Sequence, residues 1–123
     1  MPKPQPSGFS VVHNAWSSLA AESLSEGVSL RRLVGGSSET WWIELSPSTG
    51  VRTDGVTHEC TVAVLRGRVW CAVLGNEIDL PTGHFALLPP NLPVAVRTAG
   101  RSAASVVFHV AGVFPARPPL DGQ

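Results

Sequence analysis

An all-β sandwich or barrel is the fold class this sequence predicts, and two observations carry it. Eleven prolines and twelve glycines divide 123 residues into short apolar runs, and such runs separated by frequent turn residues read as strands rather than helices. Within the runs the apolar residues alternate. In Thr40-Trp41-Trp42-Ile43-Glu44-Leu45 the set Trp41, Ile43 and Leu45 falls on one face and Trp42 and Glu44 on the other, the period of a half-buried strand.

Composition narrows the function classes. The length suits about one domain, with 43% hydrophobic and 15% charged residues, which marks a chain that folds around a core. Nine basic and nine acidic residues cancel, and no basic stripe is interleaved with aromatics, which argues against nucleic acid as a partner. No apolar run reaches the length of a membrane span. Met1-Pro2-Lys3-Pro4-Gln5-Pro6 lacks the apolar core of a signal peptide, so the cytoplasm is the expected compartment.

Read in order, residues 1–27 are expected to form an N-terminal arm and a short helical turn that packs on the barrel. The arm is Pro-rich over residues 1–8, its hydrophobic stretch Phe9 to His13 is placed to reach a partner, and Ser17 to Ser25 supplies the helical turn. Residues 28–114 are expected to form the barrel. Val28 to Val34 is a strand carrying Arg31 and Arg32, which either pair with carboxylates across strands or reach an anionic ligand. Gly35-Gly36-Ser37-Ser38 is a turn, Thr40 to Leu45 a strand, and Ser46 to Gly55 a polar loop. Cys60 to Leu65 and Arg68 to Leu74 read as a hairpin turning at Arg66-Gly67, where Gly67 permits positive φ. In that hairpin Cys60 and Cys71 are diagonal neighbours about 7–8 Å apart, too far for comfortable disulfide geometry, and both are expected to be free thiols. Gly75-Asn76 turns into Ile78 to Leu80. Leu80 to Arg97 reads as a turn, a short buried strand, a proline-fixed corner and a second strand. Ser105 to Val110 is a late strand, and residues 115–123 form a loop-like tail, since Pro118-Pro119 cannot join a sheet interior.

Two of these segments resemble the cupin superfamily. Val64-Leu65-Arg66-Gly67-Arg68-Val69 is similar to the family's signature hairpin. Pro81-Thr82-Gly83-His84 with Pro89-Pro90-Asn91-Leu92-Pro93-Val94 is similar to its second motif, in which Pro-x-Gly-Asp opens a strand and Pro-x-x-x-Pro-His closes a corner. Trp41 to Gly50 resembles the strand and loop that precede the first metal motif, so the likeness spans roughly Leu30 to Val110. It implies a cupin-type double-stranded β-helix, that is, a jelly-roll barrel, and a homodimer paired through sheet edges.

The same resemblance marks where metal ligands would stand. His84 replaces the usual Asp and Val94 replaces the last metal-binding His. Counted back from Gly67, the ligand Glu falls on Cys60, or on Glu59 if the strand carries a bulge. The His-x-His pair falls within Thr53-Asp54-Gly55-Val56, which contains no His. A three-His-plus-Glu centre cannot be assembled, and the expectation is no metal cofactor.

The remaining chemistry sits in Asp54, His58, Glu59 and His109 as candidate acids and bases. Trp41, Trp42, Cys60, Trp70 and Phe108 are candidate walls for a small hydrophobic ligand. Each also has a plain structural reading: solvated loop residues, a core histidine, small buried thiols, core or interface tryptophans. The first functional hypothesis is a metal-independent enzyme, a cyclase, isomerase or dehydratase that shapes a small hydrophobic metabolite in a biosynthetic pathway. The alternatives are a divergent metal-dependent oxygenase or hydrolase using iron, zinc, nickel or manganese with ligands from His58, Glu59 or Cys60, and His109, and a non-catalytic small-molecule sensor.

Overall fold

The computed structural model describes residues 11–123. After a 3-10 turn at Trp16–Ser18, the strands in chain order are β1 (Ala21–Ser25), β2 (Val28–Val34), β3 (Ser38–Leu45), β4 (Gly50–Thr53), β5 (Cys60–Arg66), β6 (Arg68–Val73), β7 (Asn76–Pro81), β8 (Phe85–Leu88), β9 (Val94–Thr98), β10 (Ala104–Ala111) and β11 (Asp121–Gly122). They form two antiparallel sheets, a six-stranded one ordered β1-β2-β3-β10-β5-β8 and a five-stranded one ordered β11-β4-β9-β6-β7. Packed face to face, the two make a jelly-roll barrel.

Period-two alternation supplies the core. Leu30, Trp41, Ile43, Leu45, Val62, Val64, Val106, Phe108 and Val110 point inward from the larger sheet, and Val51, Val69, Cys71 and Val96 from the smaller; all are buried. The alternation expected for Trp41, Ile43 and Leu45 holds. Among the described residues no helix is long and apolar enough to cross a membrane.

Five local expectations are corrected. The helical turn is confined to Trp16–Ser18, and Ala21–Ser25 is a strand paired with β2 through a turn at Gly27 (φ 80°). A helix that short is marginal in water, whereas the sheet edge offers a ladder. Within the expected polar loop 46–55, Gly50–Thr53 pairs with β9, and the backbones pack so closely that a Cβ on Gly50 would lie 2.7 Å from the Val96 carbonyl oxygen. The hairpin at Arg66-Gly67 is instead a crossing between sheets: β5 pairs with β8 and β10, β6 with β7 and β9. Gly67 (φ 80°) turns that corner with no room for a side chain, because a Cβ would clash with the Ala103 carbonyl oxygen. Cys60 and Cys71 consequently enter the core from opposite sheets, both buried and both free thiols. The strand Phe85–Leu88 lies at a sheet edge with Phe85 and Leu87 exposed, not buried. The tail is not all loop, for Asp121–Gly122 pairs with β4 and Leu120 is buried.

Of the arm from Phe9 to His13, residues 9 and 10 lie outside the described residues; Val11 to His13 are exposed.

Candidate ligand site at the barrel mouth

One end of the barrel is where the chemistry-bearing residues gather. There β4 ends at Thr53 opposite Val94, the first residue of β9. On the facing sheet Glu39, Val110, Cys60 and Leu88 form one cross-strand row. Thr53, Val94, Glu39, Val110, Cys60 and Leu88 are all buried. We call this end the mouth.

Three segments close over it. The loop 54–59 links β4 to β5 across the two sheets, and the corner 89–93 links β8 to β9. They are joined by the Asn91 N–H donating to the Val56 carbonyl at 2.7 Å, with Asn91 at φ 61°, a conformation Asn tolerates better than most residues. The third segment, residues 112–120, runs as a strap from the end of β10 to β11.

The strap is fastened by an ion pair inside the mouth. Glu39 is 0% exposed and shares the inward register of Trp41, Ile43 and Leu45. Its carboxylate accepts from Arg32 Nε at 2.7 Å and Nη2 at 2.9 Å, from Trp41 Nε1 at 3.0 Å, and from the backbone N–H of Phe114. Arg32 also donates to the carbonyls of Phe114 and, at 2.7 Å, of Ala116. The Phe114 ring packs 5.6 Å from that of Trp41. Burial alone would push Glu39 up, but the Arg32 guanidinium and the two N–H donors outweigh it and hold the carboxyl below its ordinary range.

The predicted site residues divide into three places. Asp54, His58 and Glu59 share the loop over the mouth and are all exposed. Asp54 pairs with Arg52 at 2.7 Å and lines a hollow of about 200 Å³ between loop and strap, with Arg117, Pro119 and Leu120. His58 Nδ1 lies 3.0 Å from the Thr57 hydroxyl. Cys60, Trp41 and Phe108 are inside, the two rings 6.0 Å apart. His109, Trp42 and Trp70 are on outer faces. His109 is exposed with Nδ1 3.0 Å from Thr40 Oγ1, on the far side of its sheet from the mouth. Trp42 stacks at 5.2 Å on Trp16 and donates to Glu44. Trp70 lines a groove of about 380 Å³ on the smaller sheet, beside Gly50 and Arg97. Arg32 thus pairs with a carboxylate across strands, the first of the two roles expected for it, and a carboxylate in register with three core residues is the readable signal for Glu39 as its partner.

The positions at which the cupin likeness implies metal ligands do not fit a metal. Cys60 faces inward and Glu59 outward, so no bulge brings Glu59 into the ligand place. Burial, and then the neighbouring Cys71, push the Cys60 thiol up to about 12, whereas a coordinating thiol must lose its proton. The Thr53 hydroxyl already accepts the Gly55 N–H at 3.2 Å, and Val94 has no donor atom. Among the described residues no three His, Cys, Asp or Glu side chains gather around one point.

The architecture is that of known structures. It is similar to an RmlC-like cupin from Shewanella frigidimarina NCIMB 400, at 13% identity over 86% of this chain and 95% of that one, with a TM-score of 0.75. It is similar to the polyketide cyclase RemF from Streptomyces resistomycificus, at 15% identity over 89% and 90% of the two chains, TM-score 0.70. It is similar also to Streptomyces PAC13, a point variant with uridine, at 13% identity over 94% and 92%, TM-score 0.69. No protein-family model matches the chain, and no curated protein matches it in sequence.

Proposed function

We propose that this chain, which has the cupin fold, is a metal-independent enzyme that shapes a small, mostly apolar molecule at the strap-covered mouth. The reaction class is cyclisation, isomerisation or dehydration, with protons moved by Asp54, His58 or Glu59. The observation that carries this reading is the mouth itself: beside the Arg32–Glu39 pair that fastens the strap, its inward residues Thr53, Cys60, Leu88, Val94 and Val110 are apolar or uncharged in place of a chelating set, while the loop directly over it carries three acid–base side chains. Apolar walls with a few convergent polar groups are the ordinary makeup of a small-molecule site. A closed barrel would fold the ligand and exclude water, and the likeness in fold to a polyketide cyclase is consistent with that class. His109, on the outer face, has no part in this site.

Metal content of protein purified without added metal or chelator is the first test, and far less than one equivalent per chain is expected. Near one equivalent of iron, zinc, nickel or manganese would replace this reading with an oxygenase or hydrolase. A thermal-shift screen with small aromatic ketones and phenols then seeks a ligand, and mass spectrometry follows its conversion to an isomer or to a product lacking one water. Asp54→Asn, His58→Gln and Glu59→Gln combined should keep binding and lose conversion. The exposure of all three favours one second reading, a sensor that binds without reacting, and a ligand recovered unchanged from the native protein assigns it.

A further inference from the structure

The outer face of the smaller sheet carries a tryptophan that neither the core nor the mouth uses. Its strands turn two cross-strand rows outward, Gly50–Arg97–Trp70–Asp79 and Arg52–Ala95–Ala72–Glu77. Trp70 is half-buried in the first row. Trp41 and Trp42 each donate the indole N–H to a glutamate, as a covered indole normally does. Among the described residues no acceptor meets the N–H of Trp70, which stays available to a ligand. Around this ring stand two ion pairs. Arg97 spans β6 to reach Glu77 at 2.9 Å, and Arg68 meets Asp79 at 3.3 Å. All four side chains are about half exposed, and their charges cancel.

The sheet surface is lowest beside that ring. Gly50 ends the first row, and since a Cβ there would press on the Val96 carbonyl oxygen, no side chain can stand next to Arg97. The result is a groove of about 380 Å³ lined by Ser48, Thr49, Arg97 and Gly100 as well as Trp70. Its walls offer both hydrogen-bonding roles. Arg97 donates, while the Thr49 hydroxyl gives its proton to the Ser46 carbonyl at 2.7 Å and keeps its lone pairs as acceptors. A second hollow, of about 330 Å³, continues over Ala72 and Ala95 toward Gly75. Three properties select the occupant. A flat indole attracts C–H groups whose hydrogens carry partial positive charge. Mixed donors and acceptors suit a ligand dense in hydroxyls, each of which gives and takes a hydrogen bond. Cancelled charge gives no advantage to an anion, which argues against phosphate esters and nucleic acid. A pyranose ring answers all three, with a C–H face for Trp70 and hydroxyls around its rim.

We propose that the outer face of the smaller sheet is a binding site for a neutral oligosaccharide. One sugar ring stacks on Trp70 with its hydroxyls held by Arg97, Ser48 and Thr49, and the next lies over Ala72 and Ala95. The site is separate from the mouth, since Trp70 points to the opposite side of its sheet from the buried Val69 and Cys71. It binds and does no chemistry.

Titration of the full chain with cellobiose, maltotriose and diacetylchitobiose, followed through the indole N–H resonances by NMR, tests this. At least one sugar should bind with a Kd of about 0.1–10 mM, and the Trp70 resonance, assigned by its loss in Trp70→Phe, should move most. Sorbitol, which has the hydroxyls without the ring, should move nothing. Trp70→Ala should weaken binding by at least about tenfold and Arg97→Gln by about three- to tenfold, with far-UV circular dichroism unchanged. The combined Asp54→Asn, His58→Gln and Glu59→Gln variant should bind sugar as the native protein does. No shift with any of the three sugars at about 50 mM overturns the proposal. Binding unchanged in Trp70→Ala also overturns it, and if that variant fails to fold, binding unchanged in Arg97→Gln does so. Sugar binding lost in the combined loop variant assigns the sugar to the mouth and overturns it too. Shifts with glucuronic acid and none with the neutral sugars overturn it in favour of an anion site.

Discussion

Cys60 and Cys71 are inert by placement rather than by nature. Burial raises both thiols above the ordinary value, Cys60 to about 12, so at neutral pH neither is a thiolate, the form that reacts. In native protein at pH 8 a disulfide reagent is expected to titrate essentially neither cysteine, and to titrate both once denaturant is added. The same shift predicts a pH dependence. The folded chain holds the Cys60 proton more tightly than the unfolded chain, whose thiol titrates near the ordinary 9.0. That contribution to stability is complete below pH 9 and is lost as pH rises toward 12, so the urea midpoint should fall across that window and fall less in Cys60→Ala. At this scale the sequence was partly legible. Alternation set Trp41 and Trp42 on opposite faces of their strand, since side-chain direction follows parity along a strand; which of the two turns inward is settled by the fold, which buries Trp41. Parity also places His109 outside once Phe108 is taken as core, yet it cannot say that Thr40 waits across the ladder to bond its ring.

The strap is the element on which the site depends. Glu39 and Arg32 are seven residues apart, but the groups they hold, Phe114 and Ala116, are 75 to 84 residues away, and no local pattern announces so distant a partner. Strands β4 and β11 escaped notice for a related reason: four and two residues long, they carry too few positions to display a period, and their pairing with β9 and with each other is fixed by the tertiary fold. Glu39→Gln should destabilise the protein by about 3–5 kcal/mol at pH 7, because it strands a guanidinium whose side chain is only 18% exposed. Replacing both partners, Arg32→Met with Glu39→Leu, should recover much of that loss. Hydrogen exchange in Glu39→Gln should quicken across residues 112–118, whose anchor is cut. The sign with pH is fixed by the direction of the shift. Glu39 is held below its ordinary range, so its contribution is full above the unfolded value near 4.5 and fades as pH falls through the folded one. Native protein and Glu39→Gln should therefore converge in stability on acidification.

For the whole molecule, periodicity tells which face of a strand is buried but not which strands share a sheet. That is why β5 and β6 read as a hairpin and prove to lie on opposite walls. The cupin likeness supplied the fold but not that pairing, since the segment around Gly67 reads as a hairpin under it too; it left the site open, because the residues standing at its ligand positions lack the family's metal-binding side chains. The two walls share one core, with the β11 end of the chain joining the smaller sheet at the seam beside β1. Leu120, 1% exposed at the end of the strap, belongs to that core although it sits three residues from the last residue of the chain. Leu120→Ala should accordingly cost about 2–4 kcal/mol, the loss typical of a large-to-small change in a core, and should do so in a single cooperative transition followed alike by tryptophan fluorescence and far-UV circular dichroism. Val34→Ala, half exposed at the end of β2, should change stability by no more than about 0.5 kcal/mol. If Leu120→Ala behaved like Val34→Ala, or if a separate early transition appeared, the strap would be an appendage that loosens independently of the barrel. The mouth would then be open to solvent for much of the time, and a water-excluding reaction beneath the strap would lose its physical basis.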